Sequence, residues 1–459
     1  IKVIEVYPRN HINFNQRIRR AFDGAAVAAG AQQRAHQGGL AGAEVAIERN
    51  DHSGLEQRRQ RAAETSGGGG IRQVQAKGGL VIIRAMHDED SEAGAMRVAG
   101  DAPSLSVGDA AALRRQISSW GAELGFAAIG VSGIDVAAAA PGLLRWLDLG
   151  RHGEMDYMAK HAALRLAPQA LLPGVRTVIA ARLPYWPPAA DALAVLGDDR
   201  LAYVSRYALG RDYHKTTRHR LRKIAARLQE AAAKLGQPCS CRVLSDSAPV
   251  LETEFARQSG VGWRGKHTLS LTREGSWHFL GEIYTTLPLP ADPPAEEHCG
   301  DCRRCLDVCP TAAIVAPYEL DARLCISYLT IELPGSIPPS LRPLIGNRIY
   351  GCDDCQLHCP WNRFARMGDA DFAVRNGLDA APLTALLAWS ESEFDSRLAG
   401  SAIRRIGHER WLRNVSVALG NAHPGTPGVV TALRSRLDHP SPLVREHVVW
   451  ALARHQAAV

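Results

Sequence analysis

The sequence predicts three successive units: an α/β domain, a small cysteine-rich module and an all-α tail. Three observations carry that expectation. Amphipathic helix patterns alternate with short apolar runs across residues 105–290. Eight of the ten cysteines crowd between Cys299 and Cys359. Past residue 366, Asn414-Val-Ser-Val-Ala-Leu-Gly and His447-Val-Val-Trp-Ala-Leu-Ala recur at an offset of 33 residues, which predicts HEAT-like helical repeats.

The 459-residue chain is long enough for several cores. Lys and Arg exceed Asp and Glu by 54 − 47 = +7, an excess that permits an acidic partner without demanding one. Residues 1–95, with the run Gly67 to Gly70 and little periodicity, read as a low-complexity, disordered extension or an upstream reading frame. Arg19-Arg20-Ala21-Phe22 is a poor export signal, because Asp23 follows it at once. There is no run of about 18 apolar residues, so no membrane span is expected. Cysteine-rich chains without an export signal suit a reducing compartment, and the expected location is the cytoplasm.

From residue 105, Ala111 to Leu124 reads as a helix, with strands expected over Phe126–Val131, Thr177–Arg182 and Arg242–Leu244 and a basic helix over 214–235. Residues 291–298, rich in Pro, Glu and Ala, form a linker into the cysteine module at 291–365, and 366–459 is the helical tail.

Cys299-x2-Cys302-x2-Cys305-x3-Cys309-Pro310 is the bacterial ferredoxin pattern, in which the fourth cysteine serves the neighbouring cluster. Cys325 and the run Cys352-x2-Cys355-x3-Cys359-Pro360 complete a second quartet. Two residues between ligands let a tight loop wrap a cubane. The cysteine before proline then leaves that loop and points away. This logic assigns Cys299, Cys302, Cys305 and Cys359 to one [4Fe–4S] cluster, and Cys309, Cys325, Cys352 and Cys355 to the other. Zinc also uses C-x2-C pairs, but has no need of paired runs with exchanged fourth ligands. Cys239 and Cys241 read as ordinary thiols.

Gly260-Val-Gly262-Trp-Arg-Gly265 satisfies G-x-G-x-x-G in the wrong context. A dinucleotide site needs a strand before and a helix after. Here Thr253–Gln258 looks helical and Thr268–Thr272 extended. Read from the residues alone, Asp246 is either a buried acid after the apolar Val243-Leu244 or a helix N-cap. Asp212 is open to the same two readings at the head of the basic helix, and His214 alone reads as structural.

Several segments in order resemble the tRNA epoxyqueuosine reductase family of cobalamin-dependent iron–sulfur enzymes. They are Ala208-Leu-Gly-Arg-Asp-Tyr-His214, Ser245-Asp-Ser-Ala-Pro-Val-Leu-Glu252, Gly260-Val-Gly-Trp-Arg-Gly-Lys-His267, Gly275-Ser-Trp-His-Phe-Leu-Gly-Glu282, Cys325-Ile-Ser-Tyr-Leu-Thr-Ile-Glu332 and Gly346-Asn-Arg-Ile-Tyr-Gly-Cys-Asp-Asp-Cys-Gln356, closing on Cys359-Pro-Trp-Asn362. The resemblance runs over about 105–459.

It implies that residues 105–290 are a cobalamin-binding catalytic domain and that the reaction turns epoxyqueuosine into queuosine at the wobble position of a tRNA anticodon. That step is a two-electron, two-proton deoxygenation ending queuosine biosynthesis, run by cob(I/II)alamin fed from two [4Fe–4S] clusters. It implies Asp246 as proton donor, kept protonated by burial, with Asp212 a second acid. The matching cobalamin positions are Arg165, Ser205, Asp246, Ser270 and Leu280, with Lys266 and His267 beside them. For tRNA, Arg342, Asn347, Arg348 and Arg413 are expected at the surface, with Arg404, Arg405 and Arg410 decorating the tail. The expected partners are tRNA and an external donor such as flavodoxin or ferredoxin, for a monomer with no membrane association. Two other functions share some of these features. A corrinoid reductive dehalogenase would carry an export signal and lack the helical tail, and a non-catalytic ferredoxin-type nucleic-acid-binding protein would need neither a corrinoid nor Asp246.

Overall fold

In Thr177–Pro184 (β2), Val178 and Ala180 point to one side and Ile179, Ala181 and Leu183 to the other, and all five are buried. A strand apolar on both faces must be covered on both, and this one lies inside a four-stranded sheet. The sheet also contains Ala128–Ser132 (β1), Cys241–Leu244 (β4) and His278–Thr285 (β7), in the order β1-β2-β7-β4. A two-residue strand, Tyr203–Val204 (β3), and the short strands Trp263–Arg264 (β5) and Ser270–Leu271 (β6) lie outside it. The α/β content is as expected, and every pairing within the sheet is antiparallel. The computed structural model describes residues 105–456, so the segment expected to be a disordered extension, 1–95, lies outside the described residues.

Helices Val107–Glu123 (α1) and Tyr213–Lys234 (α3) cover one face of the sheet through Leu113, Ile117, Leu221, Ile224 and Leu228. Their ends are capped as their sequences require: Ser106 Oγ accepts from Asp109 N, and an Asp212 carboxylate oxygen accepts from His214 N at 3.1 Å. Gly281 on β7 lets α3 lie close, since a Cβ there would sit 2.7 Å from Leu221 Cδ1. Ala140–Asp148 (α2) and Glu252–Gln258 (α4) cover the other face with Leu143, Trp146 and Phe255. The cysteine module contributes Ile314, Leu320 and Ile326 to this same core, and Trp146 Nε1 donates to the Leu320 carbonyl at 2.8 Å.

The module is thus packed into the domain, and one buried carboxylate ties the two together. Asp353, between Cys352 and Cys355, accepts from Tyr203 Oη at 2.8 Å, Ser205 Oγ at 2.5 Å and Arg206 N at 2.7 Å. Next to this tie, β3 pairs in parallel with Arg348–Tyr350 (β8).

The tail is helical, as expected. The two recurring segments fall on Gly407–Gly420 (α5) and Pro442–Gln456 (α7), which pack on each other beside Val429–Arg434 (α6). Its core runs without a break from Trp411, Val415 and Val448 to Val204, Leu209 and Tyr350, so the boundary drawn at residue 366 marks no gap in packing. Among the described residues, no helix is long and apolar enough to cross a membrane.

Candidate active site and cysteine cavities

The two cysteine runs each lead into a single turn of helix, Arg304–Asp307 and Asp354–Leu357, and these turns touch. Contact between them brings the last cysteine of each run to the other run's loop. Cys299, Cys302, Cys305 and Cys359 line one cavity, walled by His298 and Trp361. Cys309, Cys325, Cys352 and Cys355 line the inner end of a second. Burial, reinforced by Cys299 and Cys302, pushes the Cys359 thiol up, and burial with Cys325, Cys305 and Cys309 does the same to Cys355. Among the described residues, no group of three or more His, Cys, Asp or Glu is placed to hold one metal ion. Each quartet stands around a void, whereas tetrahedral zinc at Zn–S distances of about 2.3 Å draws its sulfurs together. The donor set and its spacing fit a cubane. Cys239 and Cys241 form no part of either quartet; their sulfurs lie 3.6 Å apart where β4 begins.

The second cavity is a broad cleft open to solvent, with about 120 Å³ of room for water centres. Its walls are Tyr207, Tyr213, Leu269, Phe279 and Leu280, with polar groups from Ser205, Asp246 and Glu252. Two residues on its wall hold positive φ without being glycine, Asp246 at 42° and Thr268 at 72°. Such backbone strain persists only where surrounding structure imposes it, and it concentrates at functional sites. The G-x-G-x-x-G glycines bear on the same wall. A helix precedes them, and they form the β5–β6 hairpin in place of a phosphate loop. A Cβ on Gly262 would lie 2.7 Å from Ser270 Oγ, and one on Gly265 2.5 Å from the His267 ring, so the hairpin is compact enough to present its backbone to a broad ligand. Broad apolar walls edged by backbone and hydroxyl groups fit a corrin, whose face is apolar and whose rim carries amides.

Asp246 lies just past the end of β4, where Ser245 Oγ reaches the Leu280 carbonyl at 3.5 Å. It caps no helix, because α4 begins after Leu251 without a side-chain cap. Its carboxylate meets His214 Nε2 at 2.8 Å and accepts from Tyr213 Oη. On the far side of the ring, His214 Nδ1 is 2.8 Å from Asp212 Oδ1. The imidazole therefore bridges two acids, and Asp212 both caps α3 and orients His214.

Asp246 was expected to be an acid kept protonated by burial, and the groups around it act in both directions. Burial pushes its carboxyl up, while the His214 ring and the Tyr213 hydroxyl bonded to it pull the other way. Burial pulls His214 down, the two carboxylates pull harder, and its pKa rises to about 9. The 2.8 Å approach places a proton between His214 Nε2 and the Asp246 carboxylate. His214 and Tyr213 were not singled out as functional from sequence. The one available signal was helical: residues 212–214 open α3, whose first turn faces the strand end that carries Asp246.

Two family descriptions match the chain: "4Fe-4S double cluster binding domain" over residues 298–362 and "Epoxyqueuosine reductase QueG, DUF1730" over 165–247. An epoxyqueuosine reductase from Burkholderia pseudomallei is 53% identical over 411 residues, spanning 81% of this chain and 98% of that protein. One from Escherichia coli K12 is 53% identical over 345 residues, spanning 74% and 89%. The chain belongs to the epoxyqueuosine reductase family. Among solved structures, an epoxyqueuosine reductase with an epoxyqueuosine-modified tRNA-Tyr stem loop superposes with a TM-score of 0.67 at 27% identity, covering 75% of this chain and 91% of that one. The Streptococcus thermophilus epoxyqueuosine reductase gives 0.64 at 26%, covering 75% and 90%.

Within this epoxyqueuosine reductase fold, the residues expected at the cofactor divide. Ser205, Asp246, His267 and Leu280 line the large cavity. Lys266 is directed to the other one, where Nζ donates to the carbonyls of Gly300 at 2.6 Å and Cys302 at 3.0 Å. Ser270 is buried against His278 Nε2 at 3.1 Å. Arg165 is buried on the short helix Ala162–Arg165, with Nη1 donating to the Tyr157 carbonyl at 3.3 Å.

The four residues expected to meet tRNA are turned inward, which corrects that expectation. Arg413 is fully buried and donates to the carbonyls of Leu329, Leu333 and Gly335. Arg342 donates to the Ile337 carbonyl and pairs with Glu446. Asn347 Nδ2 donates to the carbonyls of Val195, Asp198 and Leu201. Arg348 forms a bidentate pair with Asp354, at 2.7 and 2.6 Å. All four supply their donors to backbone carbonyls or carboxylates of this chain. Arg410 likewise donates to main-chain carbonyls, at Ile406, Ile331 and Arg405, while Arg404 and Arg405 remain partly exposed beside Asp395 and Glu332.

Arg413→Ala should strand three carbonyls and destabilise the fold by about 2–4 kcal/mol. A lowered midpoint in denaturant unfolding checks this; an unchanged midpoint with weakened RNA affinity would return Arg413 to the binding surface.

Proposed function

We propose that this chain reduces epoxyqueuosine to queuosine at the wobble position of a tRNA anticodon, using cobalamin supplied with electrons by two [4Fe–4S] clusters. The observation that carries this reading is that the Asp246–His214 pair and the quartet Cys309, Cys325, Cys352 and Cys355 border one cavity. The outer cluster is assigned to Cys299, Cys302, Cys305 and Cys359, and the inner to the other four. Cobalamin, when bound in the large cavity, supplies a strongly reducing cobalt centre. Ser205, His267, Leu280 and the Thr268-Leu269 backbone would hold it.

The protein's own contribution is protonic. Opening an epoxide places negative charge on oxygen, and a poised acid lowers that barrier. Asp246 positions the His214 imidazolium and shares its proton, which passes to the oxygen. Asp212 keeps the ring in the tautomer and orientation that direct Nε2 at Asp246. Tyr213 holds the Asp246 carboxylate from a third direction. Within electrostatic reach of Asp246 stands the exposed Tyr157, itself near Arg405 and its partner Glu332, a set suited to a stacked base and a phosphate. We read α5 and α7 as a HEAT-like pair. The enzyme works as a cytoplasmic monomer and takes single electrons from flavodoxin or ferredoxin.

Protein reconstituted anaerobically with iron, sulfide and cobalamin, then given reductant and epoxyqueuosine-containing tRNA, should yield queuosine by mass spectrometry of the nucleosides. Its absence, with both clusters and cobalamin in place, sinks the reading. Asp246→Asn should retain clusters and cobalamin while turnover falls about 10²-fold or more; unchanged turnover removes its role.

Because the His214 pKa lies above its ordinary value, the imidazolium survives through neutral pH and is lost as pH climbs through about 9. Single-turnover rates should fall on that alkaline limb. In Asp212→Asn, where the ring has lost one carboxylate, the limb should move to lower pH. Cys309→Ala and Cys359→Ala should each remove one cluster, leaving about half the iron. Cys309→Ala should lose the inner cluster's signal in electron paramagnetic resonance and Cys359→Ala the outer one's; loss of the same cluster in both variants would contradict the exchanged assignment.

A further inference from the structure

We propose that the rim of the outer cysteine cavity is the landing surface for a small acidic one-electron carrier protein. This rests on the two-cluster reading above and assigns the point at which electrons enter. Electron tunnelling falls steeply with distance, so a donor must settle where a cluster comes nearest to solvent. Of the eight cysteines only Cys302 is fully exposed, at the tip of the loop lining the outer cavity. The inner quartet opens on the Asp246 cavity, which substrate must use.

The rim has the composition of a transient redox interface. Arg303 and Arg304 follow Cys302 directly, and Arg363 and Arg366 follow Cys359 on the facing segment; all four are exposed. The same segment as Arg363 and Arg366 exposes two large apolar side chains, Phe364 at 48% and Met367 at 64%. Arg303 is 3.6 Å from Asp307 and Arg366 is 3.4 Å from Glu274, both loose surface pairs. Among the described residues, Arg304 and Arg363 have no carboxylate partner, and Arg363 lies over the Phe364 ring with its guanidinium carbon 4.5 Å from the centroid. The acids near this loop are Asp301 and Asp307, with Glu296 and Glu297 ahead of Cys299, and the cations are gathered on the two segments 303–304 and 363–366. An apolar contact flanked by four cations, two of them without a carboxylate partner, suits brief docking of an acidic protein, guided by charge and released quickly. In the transfer, a flavin hydroquinone anion gives up one electron and keeps its N5 proton, and one [4Fe–4S]²⁺ cluster becomes [4Fe–4S]⁺.

The test uses reconstituted full-length protein and a small acidic flavodoxin held as its hydroquinone, mixed anaerobically while bleaching of the visible cluster absorbance is followed. For the parent protein, the second-order rate constant should fall as salt rises. In R304E/R363E it should drop about tenfold or more at low ionic strength and lose most of its salt dependence. Reduction by dithionite, iron content and cluster spectra should be unchanged, and R304K/R363K should keep the parent rate. A salt-independent parent rate overturns the inference, and this needs no variant. It also fails if the double reversal leaves the flavodoxin rate within twofold of the parent, or slows dithionite equally. If flavodoxin reduction is unaffected while tRNA affinity falls, the rim is an RNA surface instead. Queuosine formation driven by dithionite separates loss of this docking site from failure of the catalytic reading.

Discussion

Asp353 is the buried tie between the cysteine module and the α/β domain. It is buried, and it accepts from Tyr203, Ser205 and the Arg206 backbone while standing between two cysteines. Burial alone drives a carboxyl pKa upward, as it does here, so the group is tolerable only because three donors converge on it. That convergence clamps the cysteine module to the α/β domain at the edge of the large cavity. It places Ser205, and with it the wall beside Tyr207, at the inner quartet. A looser junction would leave the cysteines and Asp246 in separate parts of the molecule, and the cavity between them would have no defined shape.

The second organising element is the imidazole of His214 between two carboxylates. A lone buried histidine sheds its proton and a lone buried aspartate keeps one; placed 2.8 Å apart, each favours the charged form of the other, with Asp212 and Tyr213 bonded to the pair. The strained backbone at Asp246, with φ of 42°, turns the carboxylate out of the β4 direction toward the ring.

Much of the fold was legible in the sequence because its signals are local. The helix at 107–123, the strand from Thr177 and the basic helix from Tyr213 each follow from periodicity within a single element. The decoy glycines were also legible, since a helix before and a strand after them exclude a phosphate loop. What misled was charge. Arg342, Arg348 and Arg413 look like surface cations, yet each satisfies acceptors on segments remote from any helix pattern. A guanidinium can be buried when a turn such as 329–335 presents carbonyls that its own backbone cannot satisfy, and no periodicity reveals such a turn.

By itself the sequence determined the cysteine chemistry. The spacing of two and three residues and the prolines after Cys309 and Cys359 dictate loop geometry over a few bonds, so the cysteines that share each cavity could be read directly, and the segments in order carried the family. Only the tertiary structure decided where the proton resides and which cations face outward. Both depend on distances between residues far apart in the chain, His214 to Asp246 and Arg413 to Leu329, set by the packing of α3 on the sheet and of α5 on the module. Local spacing fixes what a loop can ligate, but pKa values and burial are properties of the assembled interior.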